Sequence, residues 1–478
     1  MHYTNDAKQV KFKILKEVAK LAFSGELEKT SELPYKIIPG KKPQYRCCVY
    51  KEREIVRERV TLALGKTLPN EKENGIVTVI PAACEGCPIN RYTVTTNCQK
   101  CLAKRCVSAC KFGAIAVIGT GAYIDPDKCK ECGRCAAACP YNAISDTLRP
   151  CIRSCPVNAI SMDTDRQALI KYDSCIGCGA CTTGCPFGAI SDTSSMVDVI
   201  NEIKNNKNVI ATFAPALEGQ FGGASVGMIK QAIKKLGFKK VYEVSLGADA
   251  TAFNEAKELH EAISGNKKMT TSCCPAFFAM IEKYFPELST NISNTVSPMT
   301  AISRYIKDKE KDSIVVFIGP CISKKQEIKK VKNTADYVIT FDELAAMFSA
   351  QDIDPEKQNT DNQQDGSIYG KNFAVSGGVF DAVKEAYVEQ FGSLKASCKK
   401  CAGASECQKA LALLKAGVLP EDIIEGMVCE NGCISGPATV LPYKETLKNR
   451  KALLKTADSR KIKENLEQYD MENTNMEV

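Results

Sequence analysis

Apolar residues recur at helical spacing from about Asp6 to Phe23, at Val10, Phe12, Ile14, Leu15, Val18 and Leu21, which predicts an amphipathic helix. A second helix is predicted from about Glu52 to Leu64, with Pro34, Pro39, Gly40 and Pro43 breaking the pattern between them. Residues 1–80 thus read as a small, basic, helical region. From 81 to 200 short apolar runs alternate with cysteine and glycine, so folding there depends on bound metal more than on core burial. After about Asn201 an alternating strand and helix pattern begins. Val209 to Phe213 and Ile314 to Ile318 read as buried strands, and Gly227 to Leu236, Ala252 to Ile263 and Phe277 to Phe285 as helices between such strands. That alternation predicts an α/β domain over 201–443 with functional loops at the carboxyl ends of parallel strands. The polar stretch 351–370 is expected to be a surface loop dividing two lobes, and 444–478 a charged helical tail that frays.

Composition sharpens this picture at one point. The 478 residues, 44% hydrophobic and 25% charged, are ordinary for a globular protein of two to four domains. The net charge of +8 is modest. Its excess lies mostly at Lys8, Lys11, Lys13, Lys16, Lys20, Lys41, Lys42 and Arg46, which reads first as a solvated helix face, although such a face could also steer an acidic electron carrier. No nucleic-acid partner is expected. No signal-like stretch or membrane-length apolar run is seen, so no membrane association and a cytoplasmic location are expected. The unusual feature is 26 cysteines beside two histidines, sixteen of them between Cys84 and Cys185. Disulfides do not persist in a reducing compartment, and ligands two or three residues apart in tight loops suit metal clusters rather than covalent staples.

Two runs read C-x2-C-x2-C-x3-C-P: Cys129, Cys132, Cys135 and Cys139, then Cys175, Cys178, Cys181 and Cys185. In paired runs of this kind the fourth cysteine ligates the other run's cluster. The expected 4Fe-4S ligand sets are therefore Cys129, Cys132, Cys135 and Cys185, and Cys175, Cys178, Cys181 and Cys139. Cys98, Cys101, Cys106 and Cys110 form a looser run, while Cys151 and Cys155 are the back half of another whose front half is Cys84 and Cys87. Crosswise exchange proposes Cys98, Cys101, Cys106 and Cys155 for a third cluster and Cys84, Cys87, Cys110 and Cys151 for a fourth. The first ferredoxin-like unit would then enclose the second. Four one-electron centres make sense as a wire.

Downstream the chain reads Thr271-Ser272-Cys273-Cys274-Pro275, then Pro320-Cys321-Ile322-Ser323-Lys324-Lys325-Gln326-Glu327, then Met427-Val428-Cys429-Glu430-Asn431-Gly432-Cys433. These blocks resemble, in order and spacing, the three signature segments of the FeFe hydrogenases. The resemblance implies a two-lobed α/β catalytic domain preceded by α+β ferredoxin-like domains, and an H-cluster, a 4Fe-4S cubane linked to a two-iron unit carrying carbon monoxide, cyanide and a dithiolate. By position it implies that Cys274, Cys321, Cys429 and Cys433 hold the cubane, with Cys433 as the bridge. Cys273 would pass protons, Lys324 would hydrogen-bond a cyanide, and protons would travel outward through Glu255, Ser293 and Glu258. Pro215, Ser297, Ser376, Gly377, Gly378 and Met427 match other pocket positions. Implied partners are ferredoxin or a similar low-potential carrier and hydrogenase maturation proteins.

This sequence departs from the well-studied members at Gly319, Ala276, Phe277 and Ile434-Ser435-Gly436-Pro437. Those changes are expected to loosen or repack the pocket and place the chain nearer the divergent group B branch. Other readings stay open: a non-catalytic hydrogenase-like iron–sulphur assembly or electron-transfer protein, and a hydrogen sensor, although no sensory domain is visible. Cys47, Cys48, Cys398, Cys401 and Cys407 are unassigned.

Overall fold

The first predicted helix forms as Asp6–Ser24, because Asn5 caps it (its side chain accepts from the Lys8 N–H at 2.9 Å) and Gly25 closes it at φ 79. Its buried stripe, Val10, Ile14, Leu15, Val18, Ala19 and Ala22, packs on the helix Phe341–Ala350. The basic face is not wholly solvated: Lys11 Nζ lies 3.2 Å from Asp192 and 3.4 Å from Asp342. The second helix, Val49–Ala63, begins slightly before its predicted start. The structure is a computed structural model that describes residues 5–46, 48–69, 75–84, 86–87, 90–360 and 363–478, so Cys47 lies outside the described residues.

The cysteine-rich region is built from short strands: β1 Val77–Val79, β2 Tyr92–Val94, β3 Ile115–Ile118, β4 Gly121–Ile124, β5 Ile144–Asp146, β6 Ile160–Met162, β7 Ala168–Ile170 and β8 Ile190–Asp192. All pairings are antiparallel. β2 pairs with β5 and β3 with β4; β1 pairs with β8 and β6 with β7. Each set of four strands is one ferredoxin-like module. The module holding Cys98 to Cys139 is inserted into the module that begins at β1 and ends at β8, so the first unit encloses the second, but with other cysteines in each than expected.

Beyond it come β9 Val209–Phe213, β10 Lys240–Glu243, β11 Met269–Thr270, β12 Ile314–Gly319, β13 Tyr337–Thr340, β14 Cys398–Ala402 and β15 Ile423–Met427. They form two all-parallel sheets, ordered β10-β9-β12-β13 and β11-β15-β14, one for each lobe. β9 and β15 are buried at every position, as central strands of parallel sheets flanked by helices should be, with Glu425 a buried carboxylate within β15. Parallel pairing aligns the carboxyl ends, and the loops after β9, β11, β12 and β15 carry Pro215, Cys273 and Cys274, Cys321, and Cys429 and Cys433.

Two expectations need correction. The stretch 351–370 is no free surface loop: Asp365 and Ser367 are buried, and Asp365 accepts from Lys230 Nζ at 2.9 Å and from the Glu243 N–H at 2.8 Å. The tail does not fray either. Helix Ile462–Tyr469 buries Ile462, Asn465 and Leu466, and the segment after it bonds back through Met476 O to the Val296 N–H at 2.8 Å. Buried acceptors on the lobe take up polar side chains that look solvent-bound in the sequence.

Candidate functional site

The catalytic-type loops enclose a cavity of about 90 Å³ between the two sheets. Pro215, Cys273, Cys274, Cys321, Lys324, Met427, Cys429 and Cys433 line it, with Phe317, Phe373 and Met299 as apolar walls. Cys274 is the N-cap of the helix Pro275–Tyr284, and Lys324 opens the helix Lys324–Lys330. The thiols repel ionisation: burial first, then their neighbours, push Cys321 up to about 11 and Cys433 up to about 12, and Cys429 well above the ordinary range. The thiols that act on one another are members of the same quartet, with Cys178 of the accessory run acting on Cys429 as well. A donor set of four soft sulfurs without histidine fits an iron–sulphur group, whose positive irons would hold the thiolates charged. Among the described residues no three such side chains are spaced for a single metal ion, and a cubane is a larger object than one ion.

Lys324 is held from behind. Its Nζ lies 2.7 Å from Ser297 Oγ and 2.6 Å from Glu327 Oε2, while Ser297 and Thr300 both donate to Glu327 Oε1. Ser297 therefore positions the lysine from outside the cavity. Ser376, Gly377 and Gly378 also sit one layer back: the Gly377 and Phe380 N–H groups donate to Glu425 at 2.6 and 2.9 Å. The Ser376 backbone lies so close to Gly432 that a Cβ there would meet its nitrogen at 2.7 Å. The sequence reading missed Glu327 and Glu425 as structural anchors. Glu327 was visible three residues after Lys324, and Glu425 as a lone carboxylate inside an apolar strand. Burial lifts the Glu425 carboxyl to about 7.

Behind Cys273 lies the expected polar file. The Ser272 N–H donates to Glu255 Oε1 at 3.1 Å, and Ser293 bonds the same carboxyl, which is fully buried. Burial, with a smaller contribution from Glu258, raises Glu255 to about 8. Thr295 N–H donates to Ser293 Oγ at 3.1 Å, and Thr295 Oγ1 donates to Glu258 Oε1 at 2.9 Å on the half-exposed side. The structure thus brings Cys273, Glu255, Ser293 and Glu258 together. Cys273 is itself pushed well above the ordinary thiol range, by burial first and then by Glu255.

The departures in the sequence repack this pocket. A side chain at Gly319 would collide with the Phe317 ring at 2.3 Å, so that ring fills the space a residue before Pro320 would take. Phe277, fully buried, lies against Gly426 of β15, where a Cβ would meet the ring at 2.2 Å.

The accessory cysteines do not pair as expected. Cys98, Cys101, Cys106 and Cys139 line one small cavity, and Cys110, Cys129, Cys132 and Cys135 line another. Cys151 is pushed up to about 11 by burial and then by Cys185, Cys84 and Cys87. Cys178 is pushed up to about 12 by burial, with Cys175, Cys155 and Cys274 beside it. Four sets result: Cys98, Cys101, Cys106 with Cys139; Cys129, Cys132, Cys135 with Cys110; Cys84, Cys87, Cys151 with Cys185; and Cys175, Cys178, Cys181 with Cys155. Crosswise exchange holds, but between runs whose flanking strands pair, and the two most regular runs lie in different modules. The repeats are alike in detail: the N–H four residues after Cys110, Cys139, Cys155 and Cys185 donates to that sulfur at 3.2–3.3 Å. The Cys155 set borders the catalytic quartet, where Lys283 Nζ donates to Cys175 O at 2.7 Å and Tyr284 OH to Ser174 O at 2.7 Å. Cys401 and Cys407 are buried against each other, and Cys398 lies near Glu425.

Comparison with known proteins agrees with this geometry. Residues 207–437 match the iron only hydrogenase large subunit, C-terminal domain; residues 144–196 match the LdpA Fe-S cluster-binding domain and 122–145 a 4Fe-4S binding domain. Iron hydrogenase 1 of Clostridium pasteurianum is 31% identical over 66% of this chain and 64% of its own length. The periplasmic iron hydrogenase large subunit of Nitratidesulfovibrio vulgaris is 29% identical over 50% of this chain and 70% of its own length. An NADP-reducing hydrogenase subunit of Solidesulfovibrio fructosivorans is 28% identical, over 55% of this chain and 56% of its own length. The chain therefore spans just under two thirds of the Clostridium relative. A solved FeFe hydrogenase superposes with a TM-score of 0.50 at 22% identity, covering 59% of this chain and 94% of that one, which concerns the fold alone. The four-thiol cavity at the strand ends and the iron–sulphur modules ahead of it make this chain a divergent member of the FeFe hydrogenase family with a ferredoxin-like N-terminal region.

Proposed function

We propose that the chain is a hydrogenase that interconverts protons and electrons with dihydrogen, fed by ferredoxin or a similar one-electron carrier. One observation carries this reading: a cavity-lining thiol and a buried carboxyl, Cys273 and Glu255, lead from the four-thiol cavity towards the half-exposed Glu258. An electron-transfer or assembly protein has no use for such a route. Cys274, Cys321, Cys429 and Cys433 would hold an H-cluster, which when bound supplies the iron site where protons and electrons combine. Lys324, fixed by Ser297 and Glu327, presents a buried ammonium to anionic ligands. Cys273 hands protons across the cavity wall, and Glu255, with a carboxyl near 8, both holds and releases one close to neutral pH. Pro215 and Met427 exclude water as apolar lining. Four accessory 4Fe-4S clusters on the sets described above would deliver electrons. Maturation proteins would install the two-iron unit, and a cytoplasmic location suits the oxygen-sensitive chemistry; no helix among the described residues is long and apolar enough to cross a membrane.

Infrared spectroscopy of anaerobically matured protein tests this. Carbonyl and cyanide stretches are expected, and Cys273→Ala should keep them while lowering turnover by about 10²–10⁴. Absence of those bands in the matured protein turns the assignment to a non-catalytic iron–sulphur protein; full turnover in the variant moves the proton route elsewhere.

A further inference from the structure

The four accessory ligand sets differ sharply in what surrounds them. The enclosing β1–β8 module is the inner one in space, packed on the catalytic lobes with Cys84, Cys151, Cys181 and Cys185 buried, and the inserted module is the outer one. In the outer module both ligand loops reach the surface, one exposing Lys130 to Cys132 and Arg134, the other Gln99, Lys100 and Leu102 to Arg105. In the latter, the loop from Cys98 to Cys106, four residues separate the second and third cysteines, where two separate Cys132 from Cys135 and Cys178 from Cys181. The longer step pushes Leu102 out until it is 99% exposed, and Tyr141, 51% exposed, lines the same cavity from the other run. An apolar tip held out in water beside a ligand set lacks a partner within the chain.

The charges on that loop are of one sign. Lys100, Lys104 and Arg105 are exposed, line the cavity formed by Cys98, Cys101, Cys106 and Cys139, and form no ion pair among the described residues. Residues 95–106 contain no carboxylate. The neighbouring rim, around Cys132, is mixed: Lys130 and Arg134 stand with Asp127 and Glu131. Backbone geometry makes the lysines more telling. Lys100 and Lys104 sit at φ 48 and φ 40, in the left-handed region. At the matching steps the inner run uses Gly177 and Gly179, at φ 69 and φ 77, and the outer run's partner uses Glu131 and Gly133, at φ 50 and φ 76. Glycine takes this conformation freely and lysine does so at a cost. The loop bears that cost twice, both times with a cation at the rim of the cluster cavity, whereas the neighbouring run bears it once and with the acidic Glu131.

We propose that the loop Cys98–Cys106 is the docking face for a small acidic electron-carrier protein, and that the Cys98, Cys101, Cys106 and Cys139 set is where electrons enter. The inference rests on the reading of the chain as an electron-fed hydrogenase. Leu102 and Tyr141 form the apolar centre of the contact, and Lys100, Lys104 and Arg105 its cationic rim, which steers an acidic partner and repels a basic one. One electron passes per encounter, from the carrier's reduced centre to this set; the carrier is oxidised and no bond forms or breaks.

The experiment is anaerobic stopped-flow reduction of the full, cluster-loaded chain, followed as bleaching of its iron–sulphur absorption. The donors are a reduced acidic two-cluster bacterial ferredoxin and, separately, reduced methyl viologen. With ferredoxin the bimolecular rate should fall steeply as ionic strength rises. K100G/K104G, which keeps the left-handed backbone, should lower the low-salt rate about tenfold and flatten its salt dependence. Leu102→Ser should lower the rate at high salt as well. Iron content and the methyl viologen rate should stay within about twofold in both variants, which separates docking from loop damage. A ferredoxin rate indifferent to salt and to all of these substitutions, or a chain reduced by viologen but not by ferredoxin, overturns the proposal. Dihydrogen evolution from methyl viologen is followed in parallel; its absence counts against the hydrogenase reading and leaves the docking result intact.

Discussion

Glu255 shows how one residue's surroundings set its chemistry. Its carboxyl is fully buried, one oxygen has no partner, and its proton is held up to about 8 rather than 4.5. The sign of the linkage follows. An acid whose folded value is raised favours folding most below its unfolded value, and that advantage is lost as pH rises from about 4.5 to about 8. At about 1.4 kcal/mol per unit the loss approaches about 5 kcal/mol, a large cost for a carboxyl that serves only packing. Infrared titration of the carboxyl stretch should show a buried acid ionising near 8 and missing in Glu255→Gln, while unfolding of that variant should depend less on pH between those limits. Ionisation at an ordinary carboxylate value would remove Glu255 as a proton holder. The residue was legible in the sequence only through resemblance. By pattern alone Glu255 and Glu258 are two charges on one helix face, and nothing in their spacing says that one is buried and the other half-exposed.

At the scale of elements, the ligand loops read well and their partners did not. Spacing within a loop is written in consecutive residues, so the cysteines of all four accessory sets and the catalytic quartet could be named. Which run exchanges its fourth cysteine with which is decided by strand pairing, β2 with β5 and β1 with β8. Those strands are three residues long and flank insertions, so no periodicity announces them. Regularity of motif was the misleading signal, since the two cleanest runs belong to different modules. Iron analysis separates the two pairings. Cys139→Ala should cost one cluster, about four irons per chain, and adding Cys98→Ala should cost no more, because both ligate one set. Cys139→Ala combined with Cys175→Ala should cost about eight. A loss of about eight irons with Cys98→Ala and only about four with Cys175→Ala would restore the pairing between the regular runs.

Across the whole molecule, distant segments are fastened onto the site's outer shell. The α/β alternation of the lobes was legible because buried parallel strands are uninterrupted apolar runs. The fastening was not, because its polar residues look solvent-bound until their acceptors appear. Asn465 Nδ2 donates to Asp249 Oδ2 at 2.7 Å and to Asp365 O at 2.9 Å, and Tyr469 OH to Asp365 Oδ1 at 3.1 Å. Farther on, Met476 O accepts from the Val296 N–H, the Val478 N–H donates to Asn294 O at 2.9 Å, and Arg304 Nη1 bonds Asn475 O at 2.9 Å. The bonds to Val296 and Asn294 fall on residues 293–297, the backbone that carries Ser293, Thr295 and Ser297. The last segment is thus a splint for both the Glu255 to Glu258 file and the Ser297 support of Lys324. Deleting residues 472–478 leaves the buried Val296 amide without an acceptor, a cost of about 1–3 kcal/mol. Because helix Ile462–Tyr469 stays docked through Asn465, the lobes and their iron content should be unchanged. Hydrogen exchange should accelerate at residues 293–297 alone, and turnover should fall while the infrared bands persist. Exchange that speeds up across both lobes would mean that the segment secures the fold as a whole, and unchanged exchange at Val296 would mean that it splints nothing.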